Sequence, residues 1–106
     1  MKNVNAVIKS IGSNGRVVVP AEMTKHMNKN SYIKVLRHGY NSIILSQYKP
    51  RTKAEREYMD ECTLSMIKPF DTGAVQLHVA QYFKEQEPTT VVCFNQDEDI
   101  IINCLD

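Results

Sequence analysis

A glycine turn that is followed at once by an arginine, three valines and a proline constrains this chain more than any other segment. The run is Gly15-Arg16-Val17-Val18-Val19-Pro20. Glycine permits backbone conformations with positive φ that other residues resist, and the β-branched valines favour a strand. Proline is tolerated at the start of a helix because its missing N–H would have no partner there. The run therefore predicts a turn, a short strand and a helix in that order.

The rest of the first fifty residues predicts a small unit of strands. Apolar and polar residues alternate before the turn and again after the helix, which is typical of half-buried strands. Glycine, asparagine and serine separate these segments and favour turns. The predicted elements are strands over residues 5–11, 16–19, 32–37 and 42–48, and a helix from Pro20 to about Met27.

A boundary follows at Lys49-Pro50-Arg51. The next residues, Thr52-Lys53-Ala54-Glu55, have the form of a capping box, in which a threonine and a glutamate satisfy the first N–H groups of a helix. Apolar residues then recur at every fourth position, and Pro69 would end the helix. We therefore predict a linker helix within residues 51–69 that runs to about Ile67.

Residues 70–106 predict a second unit with the same order of elements as the first. Strands are expected over residues 74–79, 89–94 and 100–105, with a short helical segment over 80–86 and an acidic turn over 95–99. The two units align at a shift of 58 residues, with one residue lost in the last turn. This order indicates a degenerate internal repeat, but an unrelated α+β tail would give a similar pattern.

The predicted fold class is therefore α+β with mostly β structure, divided into residues 1–50, a linker helix over 51–69 and an acidic unit over 70–106. Charge divides in the same way. Residues 1–50 carry eight basic side chains against Glu22 alone, a net charge of +7, whereas residues 51–106 carry five against eleven acidic ones, a net charge of −6. A basic half suits a polyanionic partner. The acidic half suits assembly, sensing or a protein partner.

The run around Gly15-Arg16 resembles the DNA-binding swapped-hairpin domain of the AbrB/SpoVT/MazE group, and it is most similar to AbrB-type transcription factors. The resemblance covers residues 5–50. It implies a domain-swapped hairpin dimer that binds double-stranded DNA with little sequence preference. A unit of about 50 residues cannot bury enough apolar surface alone, so we expect an obligate homodimer; the second half could pair two such dimers into a homotetramer, and the choice between dimer and tetramer stays open. The expected two-chain core is Val17, Val19, Met23, Met27, Ile33, Val35, Ile43 and Leu45.

The resemblance also implies which residues contact DNA. Lys9 stands at the basic position of the first strand, Arg16 is the turn arginine, and Lys25 is a basic residue of the helix. Thr24 occupies a helix position that is often basic in AbrB-like proteins. Gly15 and Pro20 are the structural residues of the motif. The simpler interpretation is that the lysines are merely solvated and that Arg16 forms a surface ion pair.

Other functions lack their residues. The histidines are scattered, so neither a metal site nor a catalytic constellation is predicted, and there is no phosphate loop or dinucleotide motif for a cofactor. Three cysteines without paired spacing indicate reduced thiols and a cytoplasmic protein. No apolar run approaches the roughly 20 residues of a membrane span, and no signal peptide is predicted.

Three functional hypotheses remain open at this point. The first is a homo-oligomeric transcriptional regulator, which is the function implied by the resemblance. The second is a MazE-like antitoxin, whose acidic C-terminal half would bind a toxin. The third is an assembly protein that does not bind DNA.

Overall fold

Eight strands and one short α-helix make up the part of the chain that the computed structural model describes, namely residues 6–25, 27, 32–47, 63–70, 72–84 and 87–105. This is an α+β fold with mostly β structure, as predicted. In chain order the elements are β1 (Ala6–Ser10), β2 (Val17–Val19), α1 (Ala21–Thr24), β3 (Ile33–Gly39), β4 (Ser42–Gln47), β5 (Thr63–Ile67), β6 (Val75–Leu77), a 3₁₀ turn (Val79–Gln81), β7 (Thr90–Gln96) and β8 (Asp99–Cys104).

The strands form two antiparallel sheets in which the halves of the chain are interleaved. Six strands follow the order β1-β7-β8-β4-β3-β5, and β2 pairs with β6 in a separate two-stranded ribbon. The first strand of each half lies at an outer edge of the large sheet, where it pairs with a strand of the other half. The two hairpins, β3–β4 and β7–β8, meet in the centre through the β4–β8 pair.

This arrangement has an internal two-fold relation that matches the 58-residue repeat. In the ribbon, Val18 pairs with Gln76, its own counterpart in the second half. At the edges, Val7 opposes Cys93, and the equivalent pair of Ser65 and Val35 occurs at the opposite edge. The central β4–β8 pair follows the same relation. Ile44 lies opposite Ile101, which is its counterpart once the residue lost in the second copy is taken into account. The pairing of the strands therefore supports a true repeat over an unrelated tail.

The residue lost in the second copy is accounted for by the turns of the two hairpins. The β3–β4 hairpin has a register shift between Arg37 and Gly39, whereas β7 and β8 pair without interruption up to Gln96 and Asp99. A bulge places an extra residue in one strand of a pair. The tighter second turn uses Asp97 with a φ of 56°, a conformation that aspartate tolerates better than most residues.

Both halves fill one hydrophobic core. All eight residues predicted for the core are buried, and they contact buried residues of the second half. Equivalent positions match: Val17 and Val19 correspond to Val75 and Leu77. Because the core is built from residues of both halves, neither half alone contains a complete core. Burial of this apolar surface is the main stabilising contribution. The remaining matched pairs are Ile33 with Val91, Val35 with Cys93, Ile43 with Ile100 and Leu45 with Ile102.

The predicted linker helix extends into residues that form a strand in the structure. Thr63–Ile67 is strand β5, which pairs with β3, so the helix prediction is wrong over these five residues. The fourfold spacing that includes Met66 suggested a helix, but the open edge of β3 provides main-chain partners that override this local pattern. The start of the predicted helix, over residues 52–62, lies outside the described residues, and the division into domains stays a prediction.

Smaller differences concern the ends of elements. Helix α1 spans Ala21–Thr24 and is shorter than the predicted segment from Pro20 to Met27. The predicted strand over 74–79 ends at Leu77. Of the predicted helical segment over 80–86, the described residues 80–84 contain only the end of a 3₁₀ turn, Val79–Gln81, and residues 85 and 86 lie outside the described residues. Pairing with β2, which is only three residues long, limits the length of β6.

We expected a partner chain because the first half is too small to fold alone, and this need is satisfied within a single chain. The first half needs a second set of strands to complete its sheet and core, and the second half of the same chain supplies them. Association of whole chains into dimers or tetramers stays a prediction, but it no longer follows from the size of the first half.

Separate fragments 1–50 and 51–106 are expected to fold only when mixed. Each fragment lacks the edge strand and half of the core that the other provides, so each should lack a cooperative thermal transition by circular dichroism. The mixture should regain the transition and form a one-to-one complex in native mass spectrometry. A cooperative transition of fragment 51–106 as a monomer would contradict this.

Candidate nucleic-acid interface

The Gly15-Arg16 turn is held by hydrogen bonds within the loop. Gly15 has a φ of +76°, and its N–H donates to the carbonyl of Gly12 at 2.8 Å. The N–H of Gly12 donates in turn to the carbonyl of Arg16 at 3.2 Å. The side-chain oxygen of Asn14 accepts from the N–H of Arg16 at 3.1 Å, which is the local bond that makes asparagine favourable in turns. The arginine is exposed.

The second half repeats this turn bond for bond. Gly73, with a φ of +94°, donates to the carbonyl of Phe70 at 2.8 Å, and Phe70 donates to the carbonyl of Ala74 at 2.8 Å. The hydroxyl of Thr72 accepts from the N–H of Ala74 at 3.3 Å. Thr72 therefore replaces Asn14, and Ala74 stands where the first turn carries Arg16.

Each turn packs against the helical segment of the other half. The N–H of Ala80 donates to the carbonyl of Gly15 at 3.1 Å. A β-carbon added at Gly15 would lie 2.8 Å from the Ala80 β-carbon and 2.8 Å from Nε2 of His78. Glycine is required here for two reasons, namely its positive φ and the close approach of the second half. The second half thus fixes the position of the turn that presents Arg16.

The outer face of the β2–β6 ribbon carries the turn arginine. Val17 and Val19 are buried on the inner face, whereas Val18 and its partner Gln76 are exposed. Because side chains alternate along a strand, Arg16 lies on the same outer face as Val18. The turn arginine is therefore on an exposed two-stranded surface and not beside the core.

Lys9 lies on a different kind of surface. It is half-buried and pairs with Val91, so its side chain leaves from the core-facing side of edge strand β1. Its positive charge acts on the nearby Cys93 thiol. The structure does not place Lys9 on the ribbon face with Arg16, and its contact with DNA stays a prediction.

The two helix positions differ from each other. Lys25 follows α1 and is exposed. Thr24 is only 2% exposed, and its hydroxyl lies within hydrogen-bond distance of the carbonyls of Ala21 and Gly73. The prediction that Thr24 contacts DNA does not fit this burial. In this fold the residue joins α1 to the glycine turn of the second half.

Polar side chains near the ends of β3 and β7 bind the helical segment of the opposite half. Asn95 donates to the carbonyl of Met23 in α1 at 3.1 Å. Its equivalent, Arg37, donates to the carbonyl of Tyr82 at 2.9 Å and lies 5.9 Å from the centre of the Phe83 ring. Carbonyls at helix ends lack intrahelical partners. The arginine therefore has a structural role that its charge alone did not reveal.

A groove of about 350 Å³ opens beside the glycine turn, between the two halves. Gly12 and Ser13 line one side, and Lys84 and Glu87 line the other. Lys84 is exposed and belongs to the acidic half of the chain, so sequence reasoning did not connect it with the loop that ends at Gly15. Long-range bonds bring these segments together: the N–H of Ile11 donates to the carbonyl of Thr89 at 2.8 Å, and the N–H of Ala80 donates to the carbonyl of Gly15 at 3.1 Å.

Other kinds of site are not found in the part of the chain that the structure describes. No group of three or more histidine, cysteine, aspartate or glutamate side chains is placed to hold a metal ion. Among the same residues, no helix has the length and apolar character needed to cross a bilayer. Comparison of the chain with models of protein families, with curated proteins and with solved structures finds no match.

Alanine at the two turn glycines should have unequal effects. Both substitutions force alanine into a positive φ, which costs about 1–2 kcal/mol. Only Gly15→Ala also meets neighbours at 2.8 Å, because the nearest atoms to a β-carbon at Gly73 are 3.6 and 3.8 Å away. We expect Gly15→Ala to lower the free energy of unfolding by about 1–3 kcal/mol more than Gly73→Ala. Urea unfolding of both variants measures the difference, and equal losses would contradict the close approach.

The Cys93 thiol should resist alkylation in the native protein. Burial raises its pKa from 9.0 to about 11, and the charge of Lys9 acts weakly in the opposite direction. A shift of two pH units leaves about a hundredfold less thiolate at pH 8, and thiolate is the reactive form. Peptide mapping after iodoacetamide treatment should show Cys93 modified in urea and protected without it. Rapid native labelling would contradict this burial.

Proposed function

We propose that this chain is a sequence-tolerant, double-stranded DNA-binding transcriptional regulator that acts as a homo-oligomer. The observation that carries the proposal is the exposed Arg16, held on a hydrogen-bonded glycine turn at the outer face of the ribbon. An arginine guanidinium in such a position can bind phosphate or the edge of guanine through two parallel hydrogen bonds.

The charge of the first half supports a polyanionic partner. Residues 1–50 carry a net charge of +7 and the whole chain carries +1, so basic side chains attract nucleic acid locally, over about the 10 Å screening length of 0.1 M salt. Exposed Lys25 adds positive charge that is independent of base sequence, whereas Lys84 shares its groove with the carboxylate of Glu87. Contacts of this kind position a protein on the phosphate backbone without specifying bases, which agrees with a sequence-tolerant binder.

The interleaved sheet favours the regulator over the antitoxin. An antitoxin of the second hypothesis would use its acidic half to cover a toxin. Strands β6, β7 and β8 of that half instead complete the sheets and core of the first half. A segment with this role is committed to the fold and is not available as an extended tail. The absence of enzymatic activity and a cytoplasmic location are part of the proposal.

Loss of the turn arginine should reduce binding of an A·T-rich duplex. In fluorescence-anisotropy titrations at two salt concentrations, the parent should bind and should weaken with salt. Arg16→Ala should bind roughly tenfold less tightly, and the slope of log affinity against log salt should fall by about 1. Lys68→Ala is the matched control, because it removes one charge from a side chain that lies over Tyr32. Equal losses in both variants would contradict a specific role for the turn, and no binding by the parent at low salt would refute the function.

A further inference from the structure

We infer that the Gly73-Ala74 turn faces the same DNA duplex as the Gly15-Arg16 turn but brings no basic side chain, so that a single chain makes a one-sided contact with a non-palindromic site. The inference rests on the proposed function. It concerns the kind of DNA site that one chain recognises.

The two turns are equivalent in backbone. Each has a glycine with positive φ, at +76° for Gly15 and +94° for Gly73. The same pair of main-chain bonds closes each loop, and a polar side chain accepts from the N–H of the residue after the glycine in both. The same turn shape therefore occurs twice on the surface of one chain.

The ribbon places both turns on one face. Val18 and Gln76 are opposite each other at its centre, and both are exposed. Arg16 and Ala74 each lie two residues before these central positions, so strand alternation directs both toward the outer face, where Arg16 is exposed and Ala74 is half-buried. Along the ribbon they are four residues apart, or about 13 Å at about 3.3 Å per residue. The major groove of DNA is about 12 Å wide, so the two turns suit the two backbones that flank one groove.

The side chains break this symmetry. Alanine replaces Arg16, and the position equivalent to Lys25 is Phe83, which is fully buried. Residues 6–25 carry a net charge of +2, from three basic side chains and Glu22, whereas the equivalent residues 64–83 carry none, because Lys68 is offset by Asp71. A protein with two identical basic turns would match palindromic DNA. This chain presents one basic turn and one copy of it that has no basic side chain.

Substitutions that add a positive or a negative charge at residue 74 test the inference. Ala74→Arg should bind an A·T-rich duplex roughly tenfold more tightly than the parent, with the salt slope increased by about 0.9 for one added phosphate contact. Ala74→Glu should weaken binding by a similar factor. Ala74→Gln, which adds size without charge, should leave the affinity within about twofold. Circular dichroism melts verify folding, and Ala74→Lys replaces Ala74→Arg if the latter does not fold.

The outcomes separate the two proposals. If the parent binds and Arg16→Ala weakens binding, but opposite charges at residue 74 change nothing, the second turn does not face DNA and this inference fails alone. If the parent does not bind DNA at low salt, the proposed function fails and the inference fails with it. If Ala74→Arg strengthens DNA binding and Ala74→Glu weakens it, both the proposed function and the inference are supported.

Discussion

Each half of this chain completes its sheet with the first strand of the other half, and the rest of the structure depends on that exchange. β1 pairs with β7 and β5 pairs with β3, so the hairpins in the centre cannot separate without breaking both edges. About 50 residues cannot bury enough apolar surface to offset the loss of chain entropy. Two such units that share one core can, and here a covalent link holds them together.

Most of the strands could be predicted from the sequence because the patterns that indicate them, alternation and turn residues, lie within the strands and turns themselves. Alternating residues and turn residues located β1 to β4 and β6 to β8, and the 58-residue shift was visible in the order of elements. A swap between two chains was predicted, but the exchange of edge strands between the two halves of one chain was not, because nothing in Ala6–Ser10 indicates which of several strands it will pair with. The error at Thr63–Ile67 has the same origin: a fourfold spacing that ends at Met66 resembles a helix until the open edge of β3 is known.

At the candidate site, the sequence indicated the residue but not its support. Arg16 follows a glycine, and exposure of a long basic side chain at a turn is the ordinary result. The neighbours of the adjacent Gly15, Ala80 by a hydrogen bond and Lys84 across the groove, come from the other half through long-range pairing, which has no local signal. Thr24 shows the reverse error. A resemblance assigned it to the interface, whereas its small hydroxyl suits a buried bond to the Gly73 carbonyl.

The pairing of Ala6 with Phe94 sets the order in which the chain can fold during synthesis. β1 leaves the ribosome long before its partner exists, and at about 5–20 residues per second the delay is on the order of ten seconds. During that interval the first half has an unpaired edge strand and an incomplete core. Two neighbouring nascent chains on one messenger RNA would offer each other equivalent strands, so crowded translation favours intermolecular exchange. The short range between the halves of one chain, once both are made, gives the intramolecular pairing its advantage.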